Sequence, residues 1–286
     1  MLSNKYSLHH LLEYKKNYLK VFNEETSKSF DYFVNNYLSS KCIFLSIDSD
    51  DNFALGLMII PKTIISFEKK LNACLIYGVV ASEKYRHTHI LHKLFPNFLS
   101  KLKSEYDVIL IESHYWKIYN EFNFCSINKY IEFRKNNMIN NNSNSAHSNL
   151  FHNSLIAISD DIINSCLKIF NKQVENFKIK SYVDLNFSTL KHFFNVNLLM
   201  NDQLFFFSDS FGVYSKKNKS LSAIHFESVA ALKKLVQIIP NDVSIIIDQN
   251  FVSFLPSNVL KSASFVKTKI LSEVYNLETI FFSEFN

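Results

Sequence analysis

Gly78-Val79-Val80-Ala81-Ser82-Glu83-Lys84-Tyr85-Arg86-His87-Thr88-His89-Ile90-Leu91 is the stretch on which the fold turns. The apolar, β-branched run from Leu75 to Ala81 reads as a central strand buried on both faces. Past Arg86 the period changes, and Leu91, Leu94, Phe95, Phe98 and Leu102 recur at helical spacing. Pro96 inside that run is expected to kink the helix or shorten its first turns. A strand that passes through a short loop into a helix offers unpaired backbone N–H groups and a partial positive charge to an anion. Arg86 stands at the mouth of that loop, where a guanidinium suits a two-pronged phosphate contact. Arg86 and Arg134 are the only arginines in the chain, so chance placement carries less weight than usual.

Upstream, Leu8, Leu11, Leu12, Tyr18, Leu19 and Phe22 predict a helix, continued by Phe30, Phe33, Val34, Tyr37 and Leu38. Ile43 to Ile47 is a strand, Asp48-Ser49-Asp50-Asp51-Asn52 a turn, and Phe53 to Ile60 the returning strand of a hairpin. Downstream, Val108 to Ile111 is a buried strand, Trp116 to Phe122 a short helix and Tyr130 to Phe133 another strand. Such alternation predicts a mixed α/β sheet with helices on its faces.

The Asn- and Ser-rich segment 136–150 interrupts the pattern and reads as a linker. Beyond it, Ser159 to Phe170 and Ser228 to Ile239 are helical, the latter with Ser228 as N-cap. Leu204 to Ser208, Phe211 to Ser215, Leu221 to Phe226 and Val243 to Ile247 read as strands. The expected division is a first domain at 1–135 and a second at 151–286. The Phe205-Phe206-Phe207 cluster reads as core or as a face covered by a partner.

The 286-residue chain is 47% hydrophobic and 20% charged, enough for a buried core without disulfides or metal. A net charge of +5 with no basic run argues against a nucleic-acid groove. Cys42, Cys74, Cys125 and Cys166 are isolated, which suits free thiols in a reducing compartment. His87, His89 and His92 lack a Cys or carboxylate at matching spacing, so no metal is expected. The polar N-terminus and the absence of a long apolar stretch predict a soluble, cytoplasmic protein without a membrane span.

The stretch at Arg86 resembles the acetyl-CoA pyrophosphate loop of GNAT N-acetyltransferases, with the pattern Arg/Gln-x-x-Gly-x-Gly/Ala. It is most similar to the enhanced-intracellular-survival (Eis) branch, which reads Tyr-Arg-x-x-Gly-Ile-Leu. Ile118-Tyr119 through Phe122-Asn123-Phe124 resembles that branch's Ile-Tyr-x-x-Phe-Gly-Phe/Tyr signature, and Leu55-Gly56-Leu57 lies in a similar hairpin. Gly212-Val213-Tyr214 through Ile247 looks like the branch's second, non-catalytic domain. The resemblance therefore implies α/β architecture with two tandem GNAT-like domains, each a mixed, mostly antiparallel sheet flanked by helices. It departs at two points: His89 replaces the loop glycine, and the chain stops near Asn286 without room for the branch's sterol-carrier-like third domain.

The resemblance implies acetyl-CoA as co-substrate, bound along Val79, Val80 and Ala81, the loop Arg86, His87, Thr88, His89, Ile90 and Leu91, and Ser113. It implies a primary amine on a small molecule or peptide as acceptor, and it leaves the oligomeric state open, a homo-oligomer included. An N–H near Val80 would polarise the acetyl carbonyl and Tyr119 would protonate the leaving sulfur. Glu112 and His114 are the residues placed to act as base. The alternative is a catalytically inactive GNAT-like binding or structural module, which His89 and the missing domain favour. A third reading, an aminoacyl transferase working with charged tRNA, is opposed by the weak basic character.

Overall fold

The computed structural model describes residues 1–38, 42–113, 115, 117–133, 151–152, 158–240, 242–255 and 264–272. The chain forms two compact units. The first is built mainly from Met1–Ile64 and Lys69–Ile127, the second mainly from Ile65–Glu68 and Asn128–Lys269. The chain thus passes from the first unit to the second after Ile127, inside a strand, where the sequence pattern placed the boundary at 135, and it returns to the first unit at Ile270. The linker segment 136–150 lies outside the described residues.

In the first unit, helix α1 (Leu8–Val21) is opened by a capping box between Ser7 and His10, and α2 (Ser27–Tyr32) by one between Thr26 and Ser29. The helical pattern expected to run on to Leu38 continues from α2 as a π-helical turn, Phe33–Tyr37. Strands β1 (Ile43–Ile47), β2 (Phe53–Ser66), β3 (Lys69–Ala81) and β4 (Val108–Ser113) lie side by side in that order. β1 and β2 are antiparallel, whereas β3 and β4 run parallel. β2 and β3 extend well beyond their apolar cores and meet at Phe67-Glu68, both with positive φ, as a two-residue hairpin turn requires.

Helix α3 (Ile90–Lys103) links β3 to β4, and α4 (Lys117–Asn120) leads into β5 (Cys125–Phe133). Pro96 is accommodated inside α3, which starts at Ile90 all the same. α3 buries Phe95, Phe98, Leu99 and Leu102 against Cys74, Ile76, Ile109 and Ile111 of β3 and β4. On the opposite face α1 lays Tyr14 and Tyr18 against β2 and β3, where the rings pass so close to Gly56 and Gly78 that a Cβ at either would collide.

The second unit carries the strand order β5-β11-β10-β9-β8-β6, with β6 (Phe151–His152), β8 (Gln203–Phe207), β9 (Ser210–Ser215), β10 (Ser220–Phe226) and β11 (Ser244–Asp248). β10 and β11 are parallel, and the pairs β5–β11, β9–β10, β8–β9 and β6–β8 are antiparallel. Helices α5 (Asp160–Asn176) and α6 (Phe187–Leu199) pack Ile163, Cys166, Leu190 and Phe194 on Leu204, Phe211 and Val213. Helix α7 (Val229–Ile238) packs Leu232 and Leu235 on Phe205, Leu221 and Ile245. Phe205, Phe206 and Phe207 alternate between these two clusters, as period-two geometry demands, so they are core. Short β7 (Ser181–Val183) completes the unit; its Ser181 hydroxyl bonds that of Ser66 at 2.9 Å. Both units are therefore mixed α/β sheets flanked by helices.

Candidate functional site

The site is built where β3 and β4 part. Their pairing runs from Ala73–Val108 to Ile76–Ile111 and stops there, while β3 continues five residues to Ala81. The cause is local. Cys74 and Ile76 face the α3 cluster, but beyond Gly78 it is Val79 and Ala81 that face it. One extra residue has been inserted, and Gly78, at φ +62°, is the residue in the left-handed region that a β-bulge of this kind uses. The Tyr14 hydroxyl donates to the Gly78 carbonyl at 2.7 Å and holds the bulge from behind. Ser82 N–H donates to Ala54 on β2. Alternation then turns the N–H groups of Ala81 and Val79 toward the side that β4 has left. Val80 itself is buried.

After Ala81 a single 3-10 turn, Glu83–Tyr85, is fastened to the β1–β2 turn, with Lys84 Nζ and Tyr85 Oη bonding Asp48 Oδ2 at 2.9 and 2.7 Å. The Asn52 backbone N–H, followed by Tyr85 and Lys84, holds the Asp48 carboxyl well below the usual carboxylate range. Arg86, His87, Thr88 and His89 then form an exposed turn into α3. His89 occupies the left-handed region at φ 57°, the conformation for which glycine is the default residue. Its ring lies edge-on to His92 at 5.5 Å and stays exposed.

Among the described residues, the N–H groups of His87, His89, Ile90, Leu91 and His92 have no acceptor, and no side chain caps α3. The other described helices of eight residues or more carry a side-chain cap: Ser7, Ser159, Asn186 and Ser228. An uncapped start behind an arginine is an arrangement that accepts a phosphate without rearrangement.

Across the gap stands the end of β4. Glu112 is partly buried, and its Oε2 is sealed from solvent with no hydrogen-bond partner among the described residues. Burial raises this carboxyl to about 8. Ser113 follows, its hydroxyl accepting from Tyr115 N at 3.0 Å. His114 lies outside the described residues. Tyr119 is buried among Phe95, Phe122 and Phe124, and burial pushes its phenol far above the ordinary range, so it stays protonated. Just past its helix, Glu121 pairs with His92 in the first turn of α3 at 2.7 Å. The Arg86 loop thus follows β3, and Glu112 and Ser113 end β4, whereas Tyr119 packs in the α3 cluster on the face that Glu112 turns away from. What the sequence pattern missed is the opposite face, where Tyr77 meets Tyr18 and Glu25; its one signal was a tyrosine and a glycine interrupting an otherwise apolar strand.

Among the described residues no helix is long and apolar enough to cross a membrane, and no cluster of His, Cys, Asp and Glu could hold a metal ion.

No protein-family model matches the chain, and no curated protein is similar to it in sequence. Solved structures are similar in fold. A GCN5-related N-acetyltransferase from Kribbella flavida superposes with a TM-score of 0.63 at 12% identity, covering 95% of this chain and 71% of that one. The Eis protein of Mycobacterium abscessus matches at 0.60 and 9% identity, over 96% and 73% of the two chains. The N-myristoyltransferase of Saccharomyces cerevisiae, solved with bound myristoyl-CoA, matches at 0.53 and 9%, over 95% and 78%. The fold is that of the GNAT acyltransferases.

Proposed function

We propose that the protein is a GNAT-type N-acetyltransferase of Eis-like character, in which the domain at 1–135 transfers acetyl from acetyl-CoA to a primary amine. In this reading the domain at 151–286 is a non-catalytic GNAT-like partner. The single observation that carries the reading is Glu112: where two parallel strands separate, its Oε2 is buried with no hydrogen-bond partner among the described residues, and the helix that joins those strands starts uncapped. A buried polar group left without a partner costs free energy, and a proton-transfer role accounts for its retention.

The chain's residues divide the work. The N–H groups at the start of α3, with Arg86, hold the diphosphate, and Val79, Val80, Ala81 and Ser113 line the path of the thioester. An N–H of Val79 or Ala81 polarises the acetyl carbonyl. Glu112 accepts the proton of the attacking amine, whose nitrogen forms the new bond to the acetyl carbon. As the carbon–sulfur bond breaks, Tyr119 gives its proton to the sulfur, so that amide and free thiol are the products.

Two measurements test this. Arg86→Ala should weaken acetyl-CoA binding by roughly tenfold or more, the worth of a charge-assisted pair at an open site; equal affinities by calorimetry would remove Arg86 from the donor site. Tyr119→Phe should lower kcat by about 100-fold or more while leaving acetyl-CoA affinity in place. Binding without thiol release across a panel of primary amines would instead identify a binding module.

A further inference from the structure

The face of the parting strands opposite α3 carries a second buried carboxyl. Tyr77 and Glu112 each follow the last paired rung, Ile76–Ile111, so on parallel strands both leave the sheet on the same side, away from the α3 cluster. That side is the α1 side. Tyr77 Oη donates to Glu25 Oε1 at 3.2 Å, Tyr18 Oη donates to the same oxygen at 3.2 Å, and Ser29 Oγ donates to Glu25 Oε2 at 2.6 Å. The Tyr77 ring is stacked on Phe22 at 6.1 Å and meets Phe33 edge-on at 5.9 Å. Glu25 and Glu112 therefore flank one tyrosine inside aromatic walls.

The electrostatics of this face are one-sided. Burial raises the Glu25 carboxyl against its hydrogen bonds, burial alone raises Glu112, and among the described residues no lysine or arginine contributes to either. Both carboxyls in turn push the Tyr77 phenol upward. Paired carboxyls with aromatic rings and no protein cation are matched by a ligand that brings its own positive charges. A monoamine that surrenders its proton at Glu112 brings no charge to Glu25, whose partners are three neutral hydroxyls.

We propose that this face receives an acceptor with two cationic nitrogens, an aliphatic diamine or polyamine. Its reacting nitrogen lies at Glu112 and its second ammonium is held by Glu25 among the rings of Tyr18, Tyr77 and Phe22. The proposal rests on the N-acyltransferase reading for the role of Glu112, but it concerns binding and is tested without any acyl donor.

Calorimetry on the full chain compares putrescine, butylamine and N-acetylputrescine. Putrescine should bind at least tenfold more tightly than butylamine, and N-acetylputrescine, which has lost one charge, should fall to the butylamine level. Glu25→Gln should bring the putrescine-to-butylamine ratio close to one. Equal affinities in the native chain, tight binding of N-acetylputrescine, or a ratio preserved in Glu25→Gln would each overturn the proposal and leave Glu25 as an anchor of the α1–α2 turn. The native comparison stands even where the variant does not fold. Acetyl transfer to butylamine with equal amine affinities would sink the diamine reading and spare the transferase one; diamine preference without any transfer would do the reverse.

Discussion

Glu112→Gln should lower kcat for acetyl transfer by about 1000-fold, within the range that a positioned general base contributes, and should make the same protein more stable at pH 8. The two effects share one cause. In the native chain one carboxyl oxygen is buried with no partner among the described residues, and burial raises the group from an ordinary 4.5 to about 8. A group raised in the folded state contributes stability that is complete below the unfolded value and is lost as pH climbs toward the folded one. Between pH 4.5 and 8 the unfolded chain has already released this proton while the folded chain retains it. Each pH unit of that window costs the native state on the order of 1.4 kcal/mol. Glutamine never ionises, so thermal unfolding of the variant should diverge upward from the native curve as pH rises, and the two should converge near pH 4. The native pH–rate profile should climb through about 8 as the base becomes available. A glutamine variant with unchanged turnover, or with a stability difference independent of pH, refutes the assignment.

How far the sequence revealed this site depends on which interactions define each part. The strand into Ala81, the loop at Arg86 and the helix behind it are local, so periodicity alone located them within a few residues. Strands β2 and β3 were read too short because Lys62, Lys69 and Lys70 break the apolar run while the hairpin carries on. Helix α6 went unread because Phe187, Leu190, Phe193, Phe194, Val196 and Leu198 spread apolar side chains over most of its circumference. The Glu25–Tyr77–Tyr18 cluster was invisible for a different reason. It joins residues 52 and 59 positions apart, and only the packing of α1 on β3 brings them together. His89 was read as a departure from the glycine that the resemblance implies; the structure places it in the left-handed region, which histidine tolerates better than most residues do.

Gly78→Ala should destabilise the first unit by about 3 kcal/mol, more than any surface change in it. Two separate penalties combine. At φ +62° an alanine pays on the order of 1–2 kcal/mol for the left-handed conformation alone. The added methyl also meets Met58 Cε at 2.8 Å, Tyr14 Oη at 2.8 Å and Tyr18 Cε2 at 2.9 Å, and overpacking of this kind costs roughly 1–3 kcal/mol. Urea unfolding measures the sum, and a loss below about 1 kcal/mol would mean that the bulge relaxes easily. Pairing the change with Tyr14→Phe separates the parts. Removing the hydroxyl clears one of the three collisions but also deletes the hydrogen bond to the Gly78 carbonyl, so the two changes should couple, with the backbone penalty persisting in the double variant. Because the inserted residue at Gly78 is what turns the next N–H groups toward the gap, the surviving folded fraction should also bind acetyl-CoA more weakly. Full donor affinity in a destabilised Gly78→Ala protein would show that the bulge supports the fold and leaves the donor site alone.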